Sequence, residues 1–151
     1  GSLKENLLLG EPNASDEELL EAASISGVDR IASELPDGFE SVLKEQGFEL
    51  SGGQRQAVCI ARSIIGKPAV VLMDEPSSAM DSQSEQLFLS NLNSWLGDKT
   101  FIAVTHRGSL LNLVDRIIVM DAGRIVADTT KEEFFARQAA AQKAQQSVEA
   151  K

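Results

Sequence analysis

The stretch Leu50-Ser51-Gly52-Gly53-Gln54-Arg55-Gln56 sets a hydroxyl and two glycines at the point where a helical pattern begins. A helix start carries unpaired backbone N–H groups and a partial positive charge, and glycines let an anion approach that backbone closely. Ser51, Gly52, Gly53 and Gln54 are therefore candidates for holding a phosphate. The same residues also suit a serine N-cap followed by a turn, and by themselves they do not separate the two readings.

Twenty-three residues beyond Ser51, an apolar run closes on Met73-Asp74-Glu75-Pro76. Consecutive carboxylates at the carboxyl end of a buried parallel strand lie where open α/β sheets bind ligands. Asp74 is suited to hold Mg2+ through its water shell, because that ion prefers oxygen ligands and keeps several waters. Glu75 can orient or deprotonate a water attacking a phosphoryl group. An acidic pair at a strand end also serves as a helix cap or turn. The only histidine, His106, ends a second apolar segment, Phe101-Ile102-Ala103-Val104-Thr105. A parallel neighbouring strand would bring His106 to the edge that carries Asp74 and Glu75, within reach of a terminal phosphate. A lone histidine elsewhere is usually a surface or capping residue.

The elements that must position these groups follow from periodicity. Ser15 and Glu18 make a capping box for a helix from about Asp16 to Ser24, and a second short helix is predicted over Val28 to Ser33, stopped by Leu35-Pro36-Asp37-Gly38. Ala57, Val58, Ile60, Ala61, Ile64 and Ile65 recur at helical spacing until Gly66-Lys67-Pro68. Ala69 to Met73 reads as a strand buried on both faces and Thr100 to Thr105 as a second, with a helix over Leu87 to Leu96 between them. A short helix at Ser109 to Val114, a hairpin of Arg116 to Met120 with Arg124 to Ala127, and a helix from about Lys131 complete the pattern. The implied organisation is a vector remnant at 1–2, a helical portion at 3–50, an α/β portion at 51–137, and a frayed helix or disordered tail at 138–151.

With 151 residues, 42% of them hydrophobic, the chain can build a core, which excludes disorder and collagen-like repeats. Fourteen basic against twenty-three acidic residues leave a charge of −9, which argues against a non-specific grip on nucleic acid or anionic lipid. No apolar run approaches the roughly 20 residues that span a bilayer. One cysteine and one histidine cannot make a zinc site of the usual ligand count. A lone cysteine and no signal peptide suit a reducing, cytoplasmic setting. Cys59 is expected as a buried thiol on the apolar face of its helix, Phe88 and Trp95 as packing residues, and Phe134-Phe135 as anchors of the last helix. The acids at Glu11 and from Asp16 to Glu21 read as a solvated face.

Taken together, these motifs resemble the nucleotide-binding domain of ATP-binding cassette (ABC) transporters. Leu50-Ser51-Gly52-Gly53-Gln54 is similar to its signature motif, Val70-Val71-Leu72-Met73-Asp74-Glu75 to its Walker B strand with the adjoining glutamate, Ser77-Ser78-Ala79-Met80-Asp81 to its D-loop, and Thr105-His106 to its switch histidine. The likeness runs to about Arg137. Leu3-Lys4-Glu5-Asn6-Leu7 resembles the segment after the Q-loop of exporters, and Glu45 and Gly47 resemble the exporter loop that contacts the membrane-spanning partner. The phrases Leu50 to Ala57 and Ser77 to Asp81 resemble type I secretion exporters. Ser77, where threonine is commoner, and Ala57, where arginine is frequent, depart mildly from the pattern.

The resemblance implies the C-terminal part of a P-loop ATPase domain, α/β in class, with a parallel sheet core and a helical signature layer. It implies ATP and Mg2+ as cofactors, a second nucleotide-binding domain and a transmembrane domain as partners, no nucleic acid, and a place at the cytoplasmic face of a membrane. In the head-to-tail sandwich of the family, Ser51, Gly53 and Gln54 face the partner's nucleotide, Asp74, Glu75 and His106 face the chain's own, and Asp81 lies at the dimer interface. No stretch fits Gly-x-x-x-x-Gly-Lys-Ser/Thr, since Gly66-Lys67 is followed by Pro68. The stacking aromatic and the Q-loop glutamine are also missing. The chain alone is therefore expected to bind ATP weakly or not at all, to lack turnover, and to self-associate or exchange segments through an uncovered sheet edge. Chromosome-maintenance and repair ATPases share the signature and the Walker B acids, but the compact 23-residue spacing, Gln54-Arg55-Gln56 and the acidic charge disfavour them. A stand-alone interaction module would need a natural start near Leu3.

Overall fold

The structure, a computed structural model, describes residues 1–44 and 47–149, with side chains as far as Ala141. The chain divides into two compact units, Gly1–His106 and Arg107–Lys151. The helical layer thus shares one unit with the first α/β segment, and the division falls after the histidine.

Three short helices open the first unit: α1 (Leu3–Leu8), α2 (Asp16–Ser26) and α3 (Val28–Glu34). Capping boxes start the first two, Ser2 with Glu5 and Ser15 with Glu18, and each satisfies two backbone donors that would otherwise be unpaired. Gly27, at φ +83°, ends α2 in the left-handed region, so α3 can begin at once. Ser2 is buried and bridges Val42, while the Leu3 N–H donates to the Ser41 carbonyl and the Leu43 N–H to that of Gly1. Gly1 and Ser2 thus pack against the 41–43 segment. The acids of α2 lie at the surface as expected, where Lys4 pairs with Asp16 and Lys67 with Glu21, each at 2.8 Å.

Helix α4 (Gly52–Ile64) packs against α1, α2, α3 and the first strand, burying Ala57, Val58, Ile60, Ala61 and Ile64. Cys59 is exposed, not buried as the sequence suggested. Two residues advance a helix by about 200°, so Cys59 points away from the side that Ala57 and Ala61 bury. Strand β1 (Val70–Asp74), helix α5 (Ser82–Leu96) and strand β2 (Thr100–Val104) follow. The strands pair in parallel, in register from Val70 opposite Thr100 to Asp74 opposite Val104.

The expectation of strands buried on both faces needs correction. Val71 and Met73 are buried, but Val70, Leu72, Ile102 and Val104 are each at least half exposed. An apolar run identifies a strand without saying how many layers cover it, and here the described residues cover one face. Helix α5 begins five residues before the predicted Leu87 because Asp81 caps it, and it buries Phe88, Leu92 and Leu96. Trp95 is half-buried beneath the Lys99 ammonium, 4.4 Å from the ring centre.

In the second unit a 3-10 helix, Gly108–Leu113, forms the short helix expected at Ser109 to Val114. Strands β3 (Arg116–Asp121) and β4 (Arg124–Thr130) form an antiparallel hairpin whose turn residues, Ala122 and Gly123, both have positive φ. Arg116 and Asp128, diagonal neighbours across it, make two hydrogen bonds of 2.7 and 2.6 Å. Helix α6 runs Lys131–Glu149, with Phe134 and Phe135 edge-to-face near its start. Among the described residues no helix is long and apolar enough to cross a membrane.

Candidate functional site

Asp74 is the last residue of β1, and the parallel register aligns it with Val104, two residues before His106. The Glu75 N–H continues the ladder to the Val104 carbonyl at 2.8 Å. Both strands therefore end at the same edge, and the residues just past them meet. The His106 ring presents Nδ1 at 2.7 Å from Glu75 Oε1, and the His106 backbone N–H donates to that same oxygen at 2.9 Å. Thr105 donates its hydroxyl to Glu75 Oε2 at 3.3 Å. The hydrogen bond from the His106 ring holds the Glu75 carboxyl below the usual glutamate range, with further help from the His106 N–H and Thr105 and against partial burial. A carboxylate can only accept, so Nδ1 carries the proton and Nε2 is turned away from Glu75.

Glu75 has φ +45°, the left-handed region that residues with a Cβ adopt rarely. Such a conformation persists where its surroundings fix it. Its N–H is tied to β2 and its carboxylate to His106 and Thr105, while its carbonyl accepts from the Ser78 N–H at 3.1 Å and from Gln56 Nε2 at 2.8 Å. Asp74 is exposed, and among the described residues its carboxylate has no hydrogen-bond or ion-pair partner. No cluster of three or more potential metal ligands occurs among the described residues, so Asp74 could supply one oxygen to a metal whose other ligands lie elsewhere.

Ser51 caps α4: its Oγ accepts the Gln54 N–H at 3.2 Å, and Gln54 Oε1 accepts the Ser51 N–H at 2.8 Å. The plain capping reading of Ser51 and Gln54 is thus realised, and the serine hydroxyl keeps its proton to donate. The two glycines differ. A Cβ on Gly53 would lie 2.8 Å from the Ala79 carbonyl oxygen, so this glycine lets the start of α4 pack against the 77–81 loop. A Cβ on Gly52 would meet nothing within 4 Å, which leaves its side of the helix start open.

The 77–81 loop is fastened from within. Ser77, 1% exposed, donates to Glu85 at 2.6 Å, and the Met80 N–H returns to the Ser77 carbonyl. Asp81 caps α5, accepting the N–H groups of Gln83 and Ser84 on one oxygen and the Ser84 hydroxyl on the other. The Ser84 N–H, chiefly, holds the Asp81 carboxyl below the usual range.

The order and geometry of these parts have counterparts among known proteins. A family model described as "ABC transporter" matches residues 2–78, half of the chain. The chain belongs to the ABC transporter family. A Staphylococcus aureus relative named "Putative multidrug export ATP-binding/permease protein" is 39% identical over 139 residues, covering 92% of this chain and 24% of that protein. "ABC transporter B family member 1" of Arabidopsis thaliana is 38% identical over 136 residues, covering 90% of this chain and 11% of the relative. A solved bacterial Atm1-family ABC exporter with ATP bound superimposes with a TM-score of 0.82 at 31% identity, over 96% of this chain and 26% of that one. The chain spans about a quarter or less of the length of each, and it corresponds to part of the ATP-binding domain of an ABC exporter.

For an ABC transporter chain, the structure brings together Glu75 and His106 beside Asp74, sets Gly53 against the loop that ends at Asp81, and joins Ser51 and Gln54 in the cap of α4. Glu45 lies outside the described residues, whereas Gly47 sits in a turn at φ +61°. Two contacts escaped the sequence reading. Gln56 and Thr105, named there only as members of the signature and switch-histidine phrases, both hydrogen-bond to Glu75. Helical spacing offered one signal, because Gln56 lies three residues after Gly53 on the side that packs.

Proposed function

We propose that this chain is the C-terminal part of an ATP-hydrolysing domain that drives export across a membrane, working at the membrane's cytoplasmic face. The single observation that carries the reading is the convergence of Asp74, Glu75 and His106 at one sheet edge, with Glu75 ionised and aligned by His106 and Thr105. Bound Mg2+ would neutralise charge on the transferring phosphoryl group. Asp74, exposed and unpaired among the described residues, fits the task of holding that ion through water. Glu75 would accept the proton of the attacking water on Oε2, the less engaged oxygen, since Oε1 already accepts two bonds from His106. His106 would keep Glu75 charged and turn Nε2 toward the terminal phosphate.

Ser51, Gly52, Gly53 and Gln54 would serve a second nucleotide held by a partner domain. The open side of Gly52 and the unspent proton of Ser51 support this assignment. Asp81, which fixes the start of α5, would carry the D-loop to the dimer interface. The chain contains no phosphate loop, so the ATP held beside Glu75 requires one supplied by another part of the protein, and the chain alone should not turn over. Mg-ATP hydrolysis by the full-length protein, measured with wild type and Glu75→Gln, tests the reading. Expected is turnover abolished by the substitution with nucleotide binding retained; unchanged turnover overturns it.

A further inference from the structure

We infer that Gln56 is a positioning residue that sets the signature helix and the catalytic base in one fixed relation. Its side chain makes three hydrogen bonds, none to its own helix. Nε2 donates to the Glu75 carbonyl at 2.8 Å and to Ser78 Oγ at 3.1 Å, and Oε1 accepts the Ala79 N–H at 3.1 Å. These partners lie 19 to 23 residues away in sequence. Rotating the amide by half a turn would set oxygen against the Glu75 carbonyl and NH2 against an N–H, so only one orientation is satisfied.

The clamp acts where the backbone needs it. Glu75 sits at φ +45°, and the carbonyl that Gln56 holds is the one leaving that residue. The same amide grips the peptide of Ala79, whose carbonyl lies 2.8 Å from where a Cβ on Gly53 would be. One half-buried side chain therefore locks together the aim of Glu75, the turn leading to Asp81 and the approach of Gly53. A shift of Ser51 and Gly53 toward or away from a partner's nucleotide would be transmitted through Gln56 to the carbonyl of the base, and the reverse. The inference rests on the roles proposed above for Glu75 and Ser51, and it adds the part that couples them.

The test uses the full-length protein with Gln56→Glu, which keeps shape and puts a carboxylate oxygen opposite the Glu75 carbonyl, and Gln56→Met, which keeps length and removes all three bonds. Turnover, KM for ATP, thermal midpoint and ATP binding are measured for both beside Glu75→Gln. Expected is a fall in kcat of about tenfold or more, as misplacement of a reacting group commonly produces, with KM within about twofold and the fold intact. Wild-type kcat in either folded variant overturns the inference. So does a loss of activity that follows only the folded fraction, or failure of both variants to fold, since each assigns Gln56 a purely structural part. Should Glu75→Gln hydrolyse normally, the reading of the base itself falls, and that outcome is distinct from an inert Gln56 beside an essential Glu75.

Discussion

Glu75 and His106, 31 residues apart in sequence, are joined twice through one oxygen: ring Nδ1 at 2.7 Å and backbone N–H at 2.9 Å both reach Glu75 Oε1. The double contact follows from strand register, since Glu75 is one residue past β1 and His106 two past β2, and the parallel pairing brings both chain ends to the same edge. It also divides the labour of the carboxylate. One oxygen accepts two bonds from His106 and the other only that of Thr105, which leaves it the lone pairs that the proposed role as base needs.

The depressed pKa of Glu75 predicts an acid-side signature. A carboxyl whose folded pKa lies below its unfolded value stabilises the fold above the unfolded value and loses that contribution as pH falls through the folded one. Thermal midpoints followed from pH 7 downward should therefore decline less steeply in Glu75→Gln than in wild type. In His106→Ala the main lowering contact is gone, so the 13C titration of the Glu75 carboxyl should move upward. An unmoved titration would mean that the pair at 2.7 Å does not persist in solution.

The two glycines of the signature should respond oppositely to alanine. At Gly53 the added Cβ would press on the Ala79 carbonyl oxygen at 2.8 Å, and a backbone atom must give way, so Gly53→Ala should cost about 1–3 kcal/mol. At Gly52 there is open space and no positive φ, so Gly52→Ala should be neutral or stabilise by up to about 1 kcal/mol through the restricted unfolded chain. Urea midpoints of the two variants measure the contrast. Equal effects would show that the approach of α4 to the 77–81 loop is looser than 2.8 Å implies.

What was legible in the sequence was what local rules determine. The Ser15–Glu18 box, the apolar period of α4, the two short strands and the hairpin all announce themselves within windows of a few residues, and each lies within a few residues of its expected place. The boundary of α5 was missed because Asp81 was read for chemistry and not as the cap it also is. Cys59 was misplaced because its neighbours Val58 and Ile60 are buried, although a helix turns neighbouring residues to different sides. Strand coverage could not be read, because burial of a second face depends on what lies across from it. At the site, Asp74, Glu75 and His106 were visible as charge at strand ends. The contacts of the Gln56 amide and the Thr105 hydroxyl were not, since their partners are set by tertiary approach.

Exposure of Cys59 gives a prediction about reactivity in the folded state. The thiol borders a groove of about 390 Å3 shared with Arg55 and Arg62, whose guanidinium groups are engaged with the Leu50 carbonyl and with Asn6. A disulfide reagent should label Cys59 under native conditions at a rate little changed by mild denaturant. Labelling that required global unfolding would return Cys59 to the core.

The last prediction separates the two faces of the domain. Ser51 caps α4 through its oxygen lone pair and is exposed, so a large side chain there meets solvent in the monomer and a partner's nucleotide in a head-to-tail sandwich. Ser51→Arg should leave nucleotide binding to isolated monomers within about twofold, because Asp74, Glu75 and His106 lie on the other set of contacts. It should abolish turnover, because the hydroxyl donor is gone and the side chain blocks closure. Cap loss is the competing cause, and Ser51→Ala controls for it: removing a serine cap costs about 1 kcal/mol of stability but leaves room for the partner. Ser51→Ala should therefore lower the thermal midpoint and retain more activity than Ser51→Arg. Mixing Ser51→Arg with Glu75→Gln gives the decisive arrangement, since a head-to-tail heterodimer places both defects at one composite site and leaves the other intact. Partial recovery of turnover on mixing is expected, and no recovery would place Ser51 and Glu75 of one chain at the same nucleotide.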